Sequence, residues 1–124
     1  MDITPAAAAG RQIIERYGAS GFRVSGVIYR GPVLVFPDRT VPWDAASAAD
    51  VTLDTLAPVI EDGGVQILLL GLGRSTSAIP VALRNALRSN RIALEPMSTA
   101  AACRTYNVLV AEDRRVAGAL IPPS

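Results

Sequence analysis

The apolar positions of the first half of the chain form short runs separated by glycines. Runs at 22–24, 27–29 and 33–36 are rich in β-branched and aromatic residues, and Ser25-Gly26 and Arg30-Gly31 lie between them. Such runs are typical of antiparallel strands joined by tight turns. A further run at 13–17 ends at Gly18. The pattern therefore predicts an antiparallel meander, followed by an edge segment at 41–44.

The apolar spacing changes to a helical period after this meander. A helix with one inward face is predicted over 52–61 by four apolar residues: Leu53, Leu56, Val59 and Ile60. Pro58 lies inside this helix, which indicates a kink or an early end, and Gly63-Gly64 terminates it.

Strands and helices then alternate to the end of the chain. Strands are predicted at 65–70, 92–95 and 116–121, with helices at 80–89 and from Ser98 to Val110. A β-α-β-α-β order indicates crossover units with parallel pairing. In the first helix, Arg84 and Arg88 are expected outside. In the second, the predicted inward face consists of Ala102, Cys103, Tyr106, Leu109 and Val110.

The predicted fold is a single α/β domain over 12–124, preceded by a flexible arm over 1–11. Its mixed central sheet has a core of strands 67–70, 92–94 and 116–121, and the 22–36 meander joins it at one side. A chain of 124 residues, half of them apolar, is long enough to bury such a core.

Composition removes several classes of chemistry. All twelve basic residues are arginines and the chain has no histidine, so the commonest general base, the commonest metal ligand and a Schiff-base lysine are missing. The single Cys103 cannot form an internal disulfide or a thiolate metal cage. We therefore expect no metal and no cofactor.

Charge and hydropathy bear on the partners and the compartment. A net charge of +1 with scattered arginines argues against nucleic-acid binding. The apolar run at 67–70 is far too short to span a bilayer, and the first residues make a poor secretory signal. The expectation is a cytoplasmic protein without a transmembrane segment.

A glycine pair follows the first predicted crossover strand. Gly71 and Gly73 could let the backbone approach a ligand, with Arg74 and Ser75 beside it. The dinucleotide fingerprint needs a third glycine where Thr76 stands, so that fingerprint is broken. A tight structural turn and a small-anion site both remain open.

Ser98 and Thr99 begin the last predicted helix. Their hydroxyls suit helix caps, and the free N–H groups beside them suit an anion. Parallel strands would open this loop and the glycine loop at one sheet edge, where Arg104 could add charge. The arginines could instead be solvated or paired to Glu95 or Glu112. The candidate binding cleft comprises Gly71, Gly73, Arg74, Ser75, Ser98, Thr99 and Arg104.

Three other side chains have structural explanations that compete with functional ones. Cys103 lacks a histidine base and is expected to be a buried thiol. Asn107 either joins a polar network with Arg104 or faces water. Trp43 is expected to pack in the core or at its rim, and the alternative is a partner-binding anchor.

Three strings carry a family resemblance: FRVSGVIYRGPVLVFPD at 22–38, ILLLGLG at 67–73 and PMSTAAACRTYNVLVAEDRRVAGALI at 96–121. They resemble the small proteins related to the third assembly factor of mitochondrial respiratory complex I, a family with many bacterial and archaeal members. The resemblance implies a three-layer α/β domain with a mixed central sheet. It also implies a role in protein assembly and supplies no catalytic residue.

Two function classes follow from these observations. The first is a non-catalytic interaction or assembly factor with a protein partner, acting on respiratory or membrane complexes. The second is a small-ligand or anion-binding protein, or an enzyme, that uses the cleft at 71–77 and 97–104.

Overall fold

The computed structural model describes residues 10–74 and 79–123, so most of the predicted arm over 1–11 lies outside the described residues. A 3₁₀ turn at Ala48–Asp50 precedes the first helix. The helices are α1 (Ala57–Asp62), α2 (Val81–Ser89) and α3 (Thr99–Ala111). The strands are β1 (Ile14–Gly18), β2 (Gly21–Val24), β3 (Val27–Arg30), β4 (Val33–Val35), β5 (Thr40–Pro42), β6 (Ile67–Leu72), β7 (Ala93–Met97) and β8 (Val116–Ile121).

The strands form two sheets. β1, β2 and β3 make an antiparallel sheet, and the larger sheet has the order β5-β4-β8-β6-β7. β6 pairs in parallel with both β7 and β8, whereas β4 runs antiparallel to β8. The predicted parallel core and the mixed α/β fold class are therefore confirmed. Every residue of β8 is buried, as expected for a strand covered on both faces.

The larger sheet separates two apolar layers. On one face, Leu83 and Leu87 of α2 pack with Val59 of α1 against Leu68 and Leu70. The opposite face carries α3 and the three-stranded sheet, which share a core with Leu69. That core includes Phe22, Val24, Cys103, Tyr106 and Leu120. The result is the three-layer arrangement that the family resemblance implies.

The predicted helix over 52–61 is wrong in its first half. Thr52 and Thr55 each accept the other's backbone N–H through their hydroxyls, at 3.0 and 3.1 Å. Such local bonds compete with helix formation, so α1 begins only at Ala57. Leu53 is consequently 42% exposed rather than inward. Pro58 lies in the first turn of α1, where its missing N–H costs little.

The predicted meander also divides between the sheets. β2 and β3 form a hairpin whose Ser25 and Gly26 both have positive φ, at 45° and 84°. After Gly31, however, β4 leaves this hairpin and pairs with β5 and β8 in the larger sheet. Trp43 is buried and donates its indole N–H to the Thr55 carbonyl at 2.8 Å, so it is a packing residue.

Candidate functional site

The start of α3 is tied to the ends of β6 and β8 through Thr99. The Gly73 N–H donates to the Thr99 hydroxyl oxygen at 2.8 Å, and the Thr99 N–H donates to the Gly73 carbonyl at 2.9 Å. The hydroxyl in turn donates to the Ile121 carbonyl at 2.5 Å. Thr99 is completely buried, so its hydroxyl serves the packing of three elements and does not face a ligand.

The two glycines are required for different structural reasons. Gly71 belongs to β6 and not to the turn, and a Cβ there would lie 3.0 Å from both Cα and Oγ1 of Thr99. Only glycine permits that close approach of strand and helix. Gly73 forms the turn itself, with φ at +74°. Between the two earlier interpretations, this geometry favours a structural turn over an anion loop.

Ser98 is the N-cap of α3, as predicted. Its hydroxyl oxygen accepts the Ala101 N–H at 3.3 Å. Since the Thr99 N–H already has the Gly73 carbonyl, two of the first three amides of α3 are engaged. A bound anion needs several such amides free. The helix start therefore offers little to an anion.

A surface depression of about 470 Å³ lies over this junction. Three of the predicted candidates line it, Gly73, Arg74 and Ser98, whereas Gly71 and Thr99 are buried. Ser75 lies outside the described residues. Sequence reasoning missed the rest of the lining, because no motif marks the turn after β1 or the chain end as neighbours of α3. These missed residues are Tyr17, Gly18, Ala19, Ala100 and Pro123.

Arg104 reaches the same region from the next turn of α3. It is exposed, and its guanidinium donates to the Tyr17 hydroxyl at 3.3 Å. In the described part of the chain, neither Arg74 nor Arg104 forms an ion pair with Glu95 or Glu112. Arg74 and Arg104 are both exposed, so one cationic side chain lines the depression and a second lies beside it.

The remaining polar side chains of α3 have structural roles. Cys103 is fully buried, and burial raises the pKa of its thiol to about 12, so it stays protonated at neutral pH. Tyr106 donates its hydroxyl to the Gln12 carbonyl at 3.0 Å, and burial raises its pKa. Asn107 was predicted to join a polar network with Arg104 or to face water, but it is buried and its described hydrogen bonds go elsewhere. It bonds both backbone groups of Ile14, at 3.0 and 2.8 Å.

Comparison with known proteins identifies the family. Residues 14–121 match the sequence profile of a family described as a protein of unknown function, DUF498/DUF598. The chain belongs to this family. An uncharacterised protein of Rhodobacter capsulatus is 38% identical over 92% of this chain and 87% of its own length. The NADH dehydrogenase [ubiquinone] 1 alpha subcomplex assembly factor 3 of Danio rerio is 32% identical, over 94% of this chain and 67% of that protein.

Solved structures of the family share the fold. A crystal structure from Bartonella henselae, described as an outer membrane protein, is 36% identical with a TM-score of 0.85. The match covers 93% of this chain and 98% of that one. No helix within residues 10–74 and 79–123 has the length and apolar character needed to cross a membrane. The predicted resemblance to the assembly-factor family is confirmed.

Proposed function

We propose that this protein is a non-catalytic factor in the assembly of a respiratory NADH dehydrogenase complex. The observation that carries the proposal is its homology to an assembly factor of that complex over 94% of the chain. The family match over residues 14–121 includes the start of α3 and all strands of the larger sheet, which favours a working surface shared within the family.

The contacts of the possible nucleophiles support a non-catalytic role. The Thr99 hydroxyl is buried between Gly73 and Ile121, the Ser98 hydroxyl caps α3, and the Cys103 thiol is protonated and enclosed. An activated nucleophile needs a neighbouring base and access to substrate. The depression over α3 is instead lined by Tyr17, Pro123, small residues and the exposed Arg74.

We propose that the partner binds at the α3 edge, defined as Gly73, Arg74, Ser98, Ala100 and Arg104. Arg74 lines the depression and Arg104 lies beside it through Tyr17. Guanidinium groups form short, charge-assisted bonds with carboxylates, frequently in pairs. An acidic side chain or a terminal carboxylate of a client subunit fits this arrangement.

The test is complementation of cells that lack the protein. We expect these cells to contain less assembled NADH dehydrogenase on native gels and less NADH–quinone activity in their membranes. Wild-type protein restores both. The double variant Arg74→Ala with Arg104→Ala restores about tenfold less, since each lost charge-assisted contact weakens capture of the client.

The matched control removes two arginines elsewhere. Arg88 and Arg114 are also exposed and do not belong to the α3 edge, so Arg88→Ala with Arg114→Ala has the same net charge as the double variant and should complement. Normal assembly in cells without the protein would refute the assembly role. Full complementation by Arg74→Ala with Arg104→Ala would refute the α3 edge while the assembly role survives.

A further inference from the structure

The strands at the edges of the two sheets differ in how their outer backbone groups are covered. In the three-stranded sheet, the outer side of β1 is occupied by Asn107, whose side chain bonds both the N–H and the carbonyl of Ile14. An amide side chain in that position imitates a neighbouring strand. The β1 edge is therefore closed where it meets α3.

The edges of the larger sheet carry other blocking features. The Ala93 N–H donates to the Gln66 carbonyl, so the backbone groups of Ala93 point toward β6 and those of Leu94 point away from the sheet. Arg84 donates to that outward Leu94 carbonyl at 3.0 Å, and Pro96, which faces the same way, has no N–H. At β5 the outward residue Pro42 likewise has no N–H to donate. Proline and charged side chains are common protections of edge strands.

Within the described residues, β3 has no proline and no side chain that is hydrogen-bonded to its outward backbone groups. The Gly31 N–H donates to the Ser20 carbonyl at 3.0 Å, which makes Ser20 and Gly31 a hydrogen-bonded pair. Such pairs alternate along an antiparallel ladder, so Ile28 and Arg30 point their N–H and carbonyl groups away from β2. No described strand pairs with that side of β3. Ile28 is also 70% exposed, which leaves a large apolar side chain beside the open edge.

The outer face of the three-stranded sheet is rich in arginine. Arg16 lies opposite Arg23 in the pairing of β1 with β2, and Arg23 lies opposite Ile28 in the pairing with β3. Cross-strand partners share a face, so these side chains stand in one row beside the open edge. Arg30 lies along the same edge. A shallow depression of about 320 Å³ is lined by all four residues.

We propose that the outer edge of β3 binds an extended, acidic segment of a partner protein by strand addition. The backbone groups of Ile28 and Arg30 supply the pairing, and Ile28 supplies an apolar contact. Arg23 and Arg30 lie beside this edge, and among the described residues Glu15 pairs with Arg23 at 3.2 Å, so these three side chains keep a net positive charge and an acidic segment is complementary. Two copies of this chain joined at β3 would instead bring like charges together, which disfavours self-pairing.

The experiment uses short capped peptides and the full chain, with amide resonances followed by NMR. A peptide that alternates valine with glutamate should shift the Ile28 and Arg30 amides and slow their hydrogen exchange. A peptide that alternates valine with lysine should bind at least about tenfold more weakly. A higher salt concentration should weaken the binding of the acidic peptide.

Two substitutions at one position separate backbone pairing from loss of the fold. Ile28→Pro removes an outward N–H without removing a bond to β2, and should weaken binding of the acidic peptide about tenfold. Ile28→Thr keeps that N–H and the β-branched shape, and should bind within about threefold of wild type. A thermal unfolding curve for each variant verifies that it is folded.

Several results would overturn the proposal. Equal binding of the acidic and basic peptides would exclude recognition by charge. Unchanged binding by Ile28→Pro would exclude strand addition. Slow exchange of the Ile28 and Arg30 amides in the protein alone would mean that the chain itself or a second copy occupies the edge.

Discussion

Thr99 and Gly73 exchange two hydrogen bonds across the junction of β6 and α3, from the Gly73 N–H to the Thr99 hydroxyl at 2.8 Å and from the Thr99 N–H to the Gly73 carbonyl at 2.9 Å. The same hydroxyl satisfies the Ile121 carbonyl. The Thr99 side chain therefore joins β6, β8 and α3 at a buried position, where water cannot replace its hydrogen-bond partners.

Replacement of Thr99 by valine should destabilise the fold. Thr99→Val keeps the shape but leaves the Gly73 N–H and the Ile121 carbonyl unsatisfied, which costs about 2–4 kcal/mol in the free energy of unfolding. Thr99→Ser keeps the hydroxyl and loses one buried methyl, for a cost below about 1.5 kcal/mol. Urea unfolding followed by circular dichroism measures both. Equal stability of Thr99→Val and wild type would show that these bonds contribute nothing.

Two glycines of the larger sheet should respond differently to alanine. At Gly71 a Cβ would meet Thr99 backbone at 3.0 Å and Leu120 at 3.1 Å, so Gly71→Ala should cost about 1–3 kcal/mol. At Gly118 the nearest atoms lie at 3.5 Å, an ordinary contact. Gly118→Ala should therefore stay within about 1 kcal/mol of wild type. Thermal and urea unfolding compare the pair. A larger loss at Gly118 than at Gly71 would contradict the close approach.

Asn107 should hold β1 against α3. Asn107→Ala removes both partners of the Ile14 backbone, which is buried, and should cost about 2–4 kcal/mol. Hydrogen exchange of the Ile14 amide should become faster at the same time. Val108→Ala, at an exposed neighbouring position of α3, serves as the control and should change neither quantity. An unchanged Ile14 exchange rate in Asn107→Ala would argue against this connection.

The buried thiol of Cys103 should make stability fall at alkaline pH. In the unfolded chain the thiol has a pKa of about 8.5, whereas burial raises the pKa of the folded thiol to about 12. Between these values the unfolded state binds fewer protons than the native state, so the stabilising effect is complete below about pH 8.5 and is lost as pH rises. The slope is about 1.4 kcal/mol per pH unit.

Cys103→Ala removes that contribution to stability and keeps Tyr106, whose raised pKa affects stability only at higher pH. Urea unfolding between about pH 8 and pH 10 should give a flatter pH dependence for the variant than for wild type, although the variant is less stable at neutral pH because it loses packing. Parallel pH profiles for the two proteins would contradict a buried, protonated thiol.

The sequence by itself determined the elements and their order in the second half of the chain. The apolar run of β6, the helical spacing of α2 and α3 and the cap at Ser98 are local patterns, since each depends on residues a few positions apart. Parallel pairing follows from that order because crossover units require it. The early part of α1 was mispredicted because hydroxyl bonds between Thr52 and Thr55 compete with helical spacing.

The tertiary structure alone decided what the candidate residues do. The sequence favoured a helix cap over a functional hydroxyl at Thr99, whereas the hydroxyl bonds Gly73 and Ile121, which lie 26 and 22 positions away. Asn107 likewise meets Ile14 across 93 positions. The choice of β4 between the two sheets, and the open side of β3, depend on which strands meet in space. Such long-range partners leave no periodic signal, because burial and hydrogen bonding are set by the packed whole rather than by neighbouring residues.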